Sequence, residues 1–411
     1  MQKKVELMSP AGDFEALRAA LDNGADSIYF GIEQLNMRAK SSRNFKLEDL
    51  KEIAEICHSE GKKAYMTLNA ILYDHDIKLM KSLIESAKDA GIDAMIVMDQ
   101  AAIMHARKVG MPVHISTQIN ITNVETLEFY SQFAEVAVLS RELSMRQIKN
   151  ISKAVKDQNI CGPSGELMKI EVFAHGALCM AVSGKCYMSL HTMNSSANRG
   201  ACMQNCRRRY KVIDLEDGHE LEIDNEYIMS PKDLSTIDFL DQIVNTGIDI
   251  IKLEGRARSP EYVARVTKVY REALDAVAEK TYTPEKVEQW VSRLETVYNR
   301  GFWGGYYLGK NLGEWTDKSG SSATQTKVYL GKAIHYFPKA KIAHFKIDSD
   351  KLSIGDDIFI IGQNTGVVEA KIEKLMVDDA FVDVASKGQE CTFSLDKPIK
   401  KSDKLYKIIP A

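Results

Sequence analysis

Lys63-Ala-Tyr-Met-Thr-Leu-Asn69 is a short run of apolar, aromatic and β-branched residues that ends on a polar side chain. An amphipathic stretch follows from Asp76 to Ala90, with apolar residues three and four apart, and then a second short run, Ala94-Met-Ile-Val-Met98. The period changes from strand to helix and back, the pattern of two parallel strands joined by a helical crossover. The alternation extends in both directions. Strands are expected at about 5–8, 27–30, 63–69, 94–98, 113–118, 135–140, 169–175 and 248–254, and Glu48 to Glu60 is another helical stretch. Eight such repeats point to an α/β chain built on a (β/α)8 TIM-like barrel, with an open doubly wound sheet as the alternative.

Parity along the strands brings polar side chains to one end. His114, Ser116 and Gln118 share a face of strand five, Glu171, Phe173 and His175 a face of strand seven, and Lys252 and Glu254 a face of strand eight. Polar residues near the C-terminal ends of several strands are what a barrel's catalytic mouth needs. The crossover from strand seven to strand eight, residues 176–248, is far longer than the others and holds four of the seven cysteines. It also carries an expected β-hairpin, Tyr210 to Leu215 and Glu220 to Asp224 around a Glu-Asp-Gly turn. Residues 1–282 thus form the expected catalytic barrel and 283–325 a helical and Gly/aromatic linker. Residues 326–411, short strands broken by turns, form a small C-terminal β-barrel.

Composition narrows the class. The chain has 411 residues, is 45% hydrophobic and 27% charged, and carries a net charge of −3, so a polyanion would need a local basic patch. No signal peptide is expected at the N-terminus, and no run approaches the roughly 18 apolar residues of a membrane span. A cytoplasmic setting is expected, where structural disulfides are rare. No His-Glu-x-x-His and no Gly-x-Ser-x-Gly is present. Gly304-x₄-Gly309-Lys310 imitates a phosphate loop but is followed by Asn311 and reads as linker.

The cysteines are spaced Cys179-x₆-Cys186-x₁₅-Cys202-x₃-Cys206, with Lys185 and Arg207-Arg-Arg209 beside them. Clustered thiols in a reducing compartment point to metal or redox chemistry, and nearby cations favour the thiolate. The absence of a Cys-x-x-Cys knuckle is unlike a zinc ribbon and unlike a ferredoxin, so spacing leaves zinc and an iron–sulfur cluster both open.

The stretch Glu171-Val-Phe-Ala-His-Gly-Ala-Leu-Cys-Met-Ala-Val-Ser-Gly-Lys-Cys-Tyr-Met-Ser189 strongly resembles the signature of the peptidase U-32 (collagenase-like) family. Asn198-Arg-Gly-Ala-Cys-Met-Gln-Asn-Cys-Arg207 resembles the segment that follows it there. Further blocks are similar: Ser9-Pro-Ala-Gly12, Ser140-Arg-Glu-Leu143, Met229-Ser-Pro-Lys-Asp-Leu234 and Lys252-Leu-Glu-Gly-Arg256. The family takes its name from proteases of unassigned mechanism, but several members are oxygen-independent hydroxylases with a 4Fe–4S cluster on the four cysteines. One branch hydroxylates the wobble uridine of tRNA to 5-hydroxyuridine with prephenate as hydroxyl donor, another a ribosomal RNA cytidine, and a third works in pairs on the ubiquinone ring. Length and the C-terminal barrel make this chain most similar to the tRNA branch. That barrel also resembles domain 2 of elongation factor Tu, notably in Leu352-Ser-Ile-Gly-Asp-Asp-Ile-Phe and Asp396-Lys-Pro-Ile-Lys-Lys-Ser-Asp-Lys-Leu-Tyr.

The resemblance implies a cluster on Cys179, Cys186, Cys202 and Cys206 and prephenate as co-substrate. A dianionic donor needs guanidinium groups; Arg141, Arg199 and Arg256 are candidates, with Lys252 beside them. Glu254 and His175 are candidate proton carriers, and Asn69 and Gln118 candidate substrate-orienting groups. Arg207, Arg208, Arg209, Tyr210 and Lys211 combine charge with an aromatic plane and are candidates for contact with an anticodon loop. Three other readings stand beside this one: a peptidase using Cys179 with His175, a hydroxylase of another RNA base, and a non-catalytic RNA-binding iron–sulfur protein. The sequence leaves an oligomer or a paired homologue open.

Overall fold

A computed structural model describes residues 4–40, 43–210, 216, 227–309 and 312–411. Ten strands belong to the first sheet: β1 (Glu6–Pro10), β2 (Ser27–Gly31), β3 (Lys63–Leu68), β4 (Ala94–Val97), β5 (Val113–Ile115), β6 (Val136–Val138), β7 (Lys169–Gly176), β8 (Asp233–Ser235), β9 (Ile250–Leu253) and β10 (Phe302–Trp303). Strands β1 to β7 pair in sequence order, and β9 pairs with both β7 and β1. The ring is therefore closed, and every pair in it is parallel. Its eight strands are those the sequence alternation places, so the open sheet is excluded.

The barrel has two apolar layers because side chains alternate along each strand. Met8, Tyr29, Tyr65, Ile96, Val136 and Ile250 pack together inside the ring. Their neighbours Leu7, Ile28, Met66 and Met95 pack outward against the helices. Helix ends are fixed by short polar caps: Asp13, Asp99, Asn123 and Ser144 each accept a backbone N–H of the first turn.

Two departures from the expected strands matter for the mouth. β5 stops at Ile115, and Thr117–Ile119 is a 3-10 turn, so Gln118 lies beyond the strand and not on its face. The pairing of β7 with β9 shifts register between Phe173 and His175. A bulge of this kind re-aims the side chains beyond it. The short β8, absent from the sequence reading, then pairs antiparallel with β7 through His175 and Gly176, and β10 joins it from the far side.

From Gln325 the chain forms a second, antiparallel sheet with its own core, which includes Leu330, Phe345, Ile358, Ile360 and Leu405. Phe345 and Phe393 stack at 5.3 Å. This unit docks on the barrel through ion pairs Lys327–Glu261 (2.6 Å), Lys397–Asp22 (2.6 Å) and Arg265–Glu369 (3.0 Å). Gly366 (φ +67°) meets the helix Phe14–Asp22 so closely that a Cβ would lie 3.0 Å from the Asp22 carboxylate. Of the hairpin expected from Tyr210 to Asp224, residues 211–215 and 217–224 fall outside the described residues, Lys211 among them. Among the described residues no helix is long and apolar enough to cross a membrane.

Candidate active site

A cavity of about 350 Å³ opens at the C-terminal ends of the barrel strands, between them and the insertion after β7. This is the end at which barrels carry their chemistry. Cys179, Cys186, Cys202 and Cys206 all line it, and none forms a disulfide. Burial pushes the Cys206 thiol up; the Arg207 guanidinium opposes this, and the other three thiols add to it. Among the described residues no three His, Cys, Asp or Glu side chains converge as a single metal ion requires.

The insertion is held over the mouth by specific contacts. Arg199 bridges Asp76 (2.7 and 3.4 Å), donates to the Ile71 carbonyl (2.9 Å) and lies 4.2 Å over the Tyr73 ring. Arg207 donates to Ser230 Oγ (3.0 Å) and to the carbonyls of Pro231 (2.6 Å) and Leu178 (2.5 Å). Gly184 (φ +73°) packs on the Gln118 side chain, where a Cβ would approach within 2.7 Å. The backbone N–H of Cys186 donates to Asn198 Oδ1 (3.2 Å).

The charge in the cavity is one-sided. Its lining holds six arginines and one lysine against a single carboxylate, Glu254. Arg256 is buried, and both of its guanidinium hydrogen bonds go to neutral oxygens, Thr67 Oγ1 (2.9 Å) and Asn36 Oδ1 (3.0 Å). Burial lowers its pKa to about 10. Arg141 lies 3.8 Å over the Phe173 ring and donates to the Ala177 carbonyl (2.9 Å). Arg258 covers the Tyr298 ring at 3.6 Å. Glu254 accepts from Arg38 (3.0 Å) and from the Ala177 N–H (3.3 Å). Burial alone would raise its pKa, but Arg38, Arg258 and Arg141 outweigh it and hold the carboxyl below its usual range. Asn69 donates to Ser116 Oγ (3.2 Å) and Gln118 Oε1 (3.3 Å), so these polar groups form one connected wall.

Several candidates are corrected. His175 does not face the cavity: beyond the β7 bulge its ring sits 2% exposed among Tyr262, Tyr270 and Phe302. Burial lowers its pKa to about 3, so it is neutral and structural. Arg199 is committed to Asp76 and lies outside the cavity lining, which removes it from the donor site. Arg207 is committed to clamping the insertion rather than displayed to RNA. Tyr210 likewise ties its hydroxyl to the Asn205 carbonyl (2.7 Å). Arg208 and Arg209 are exposed, Arg209 with its Nε donating to Tyr227 Oη (3.0 Å). Lys252 lines the cavity floor but is buried against Glu171.

Arg38 and Arg258 were missed in the sequence reading. Arg258 stands two residues after Arg256, and Arg38 lies in the loop after β2, both at the catalytic end of the barrel. That position was the available signal.

A parallel eight-stranded barrel whose mouth is covered by a thiol-bearing insertion, with an arginine-rich cavity between them, defines the class of protein. The chain belongs to peptidase family U32, whose model matches residues 12–317. It is 53% identical over 402 residues to a protein of Porphyromonas gingivalis named collagenase, spanning 98% of this chain and 97% of that one. It is 29% identical to tRNA hydroxylation protein P1 of Bacillus subtilis over 98% of this chain and 95% of that protein. It is 36% identical over 279 residues to the 23S rRNA 5-hydroxycytidine C2501 synthase of Escherichia coli, spanning 67% of this chain and 40% of that protein.

Proposed function

We propose that the chain is an iron–sulfur RNA hydroxylase that converts the tRNA wobble uridine to 5-hydroxyuridine, with prephenate as hydroxyl donor. The observation that carries this reading is the sharing of one cavity by four thiols and six arginines. Relatives named for tRNA and rRNA hydroxylation support the substrate class.

The donor set fits a cluster. A single zinc ion draws each thiolate to about 2.3 Å from one centre, whereas a 4Fe–4S cluster spreads four thiolates over four irons. The four thiols that line the common cavity supply the one-thiolate-per-iron donor set that such a cluster uses. Such a group, when bound, supplies one-electron chemistry at the mouth. The chain's own residues do the rest. Arg256 and Arg141 bind the donor's carboxylates, because fixed guanidiniums give energy and orientation together. Glu254 is ionised, holds Arg38 in place and orients the cavity's guanidiniums as their one carboxylate. Asn69 fixes Gln118 through the latter's side-chain oxygen, and the Gln118 amide N–H₂ faces an unstacked base.

Proteolysis is the competing reading, carried by the collagenase name of a 53% identical relative. A cysteine protease needs a thiolate paired with a histidine. Among the described residues no histidine lines the cavity, and the His175 ring is buried away from it. The discriminating experiment is nucleoside mass spectrometry of bulk tRNA from a strain lacking the gene. Loss of 5-hydroxyuridine derivatives, restored by the wild-type gene but not by Cys179→Ala, is the expected result. An unchanged profile overturns the proposal.

A further inference from the structure

The geometry points to Lys252 as an imine-forming lysine: its amine, at the inner end of the cavity, condenses with the ketone of an α-keto acid whose carboxylate rests on Arg256 and Arg141. The inference deepens the donor half of the proposed function and rests on that reading for which acid is used. The amine chemistry itself rests on the residues below.

Lys252 lies on β9 with its side chain 5% exposed, and it lines the cavity. Its Nζ donates to Glu171 Oε1 at 2.8 Å and stands 4.4 Å from the Tyr29 ring centre and 5.7 Å from that of Phe173. Surface lysines are protonated and hydrated; a lysine enclosed by rings and fed by one carboxylate is set up as a nucleophile. Burial and the nearby Arg256 and Arg141 push the ammonium toward losing its proton, and Glu171 works the other way. Glu171 is completely buried, and its second oxygen, Oε2, accepts no hydrogen bond from the described residues. That leaves it a free site for a proton in transit.

The step balances without an oxidant or reductant. Glu171 takes one proton from the ammonium. The freed lone pair forms a C–N bond to the carbonyl carbon as the C=O π bond breaks, and a second nitrogen proton passes to the oxygen, giving a carbinolamine. Glu171 returns its proton to that hydroxyl, the C–O bond breaks, and water leaves. Ammonium plus ketone has become iminium plus water, and Glu171 ends as it began. The iminium makes the acid's α-carbon an electron sink for bonds broken at the adjacent carboxyl or β-carbon, which is what a substrate that must later lose or shift a group requires.

The test is reductive trapping. The full chain, purified anaerobically, is incubated with pyruvate and sodium borohydride, and the adduct is mapped by peptide mass spectrometry. One reduced pyruvyl group on Lys252 is expected, absent in Lys252→Arg and formed at least tenfold more slowly in Glu171→Gln. An unmodified wild-type chain, or labelling of other lysines that Lys252→Arg leaves unchanged, overturns the inference. So does wild-type RNA hydroxylation by Lys252→Arg. Trapping on Lys252 in a protein that hydroxylates no RNA would sustain the imine chemistry while defeating the proposed function.

Discussion

Arg256 shows how a cation can be held ready for a ligand. Its two hydrogen bonds reach only neutral oxygens, so the charge is oriented by Thr67 and Asn36 without being cancelled. A charge-assisted hydrogen bond contributes about 1.5–3 kcal/mol. Arg256→Gln should therefore lower kcat/KM for the anionic donor roughly ten- to a hundredfold. Steady-state kinetics at saturating RNA checks this; an unchanged donor KM and kcat would place the anion elsewhere. The buried histidines give a second prediction. His175 and His114 both have pKa values lowered to about 3 by burial. Unfolded histidine titrates near 6.5, so between about pH 6.5 and 3 only the unfolded state takes up these protons. Both therefore stabilise the fold above pH 6.5, and that contribution drains away as pH falls toward 3. The loss is up to about 1.4 kcal/mol per pH unit for each histidine. His175→Phe should flatten the fall of Tm with acid while leaving turnover near wild type. A collapse of turnover with normal stability would return His175 to the chemistry.

At the scale of elements, the insertion after β7 works only if it is pinned to the mouth. Arg199 of the insertion and Asp76 of the crossover after β3 form that pin. The pair is partly exposed, so Arg199→Ala should cost about 1–3 kcal/mol of stability and lower iron bound per purified chain. Thermal melts and iron analysis read the two effects; retention of both would show that the insertion holds itself. This pin also marks the limit of what the sequence made legible. That the four cysteines line one cavity was legible because all four lie in one local segment. Arg256 and Glu254 were legible because they follow a strand at the catalytic end of a barrel. Arg199 was misread because its partner Asp76 lies in another crossover, and no local pattern joins them. His175 was misread because parity assumes a regular strand, and the register shift after Phe173 turns its ring to the aromatic side. Gln118 reached the cavity by a different route, from a 3-10 turn rather than the strand face. The eight barrel strands were legible throughout because each is a short apolar run bounded by an amphipathic crossover.

The whole molecule joins two cores, a parallel barrel and an antiparallel sheet, through ion pairs and the close packing of Gly366 on the helix Phe14–Asp22. In the pairs Lys397–Asp22 and Lys404–Glu15 (3.3 Å) the lysine side chains are 42% and 40% exposed, and exposed pairs contribute roughly 0–1 kcal/mol. Lys397→Ala with Lys404→Ala should therefore move Tm little in high salt, as calorimetry would record. At the mouth, thiols and guanidiniums share one cavity. The most direct test is an anaerobic reaction of the purified, iron-loaded chain with unmodified tRNA and prephenate, read by nucleoside mass spectrometry. The expected product is 5-hydroxyuridine that depends on prephenate and is lost in Cys179→Ala and strongly reduced in Arg256→Gln. A wild-type protein that binds iron yet forms no hydroxylated nucleoside, or one that cleaves collagen peptides with all four cysteines replaced, would contradict it.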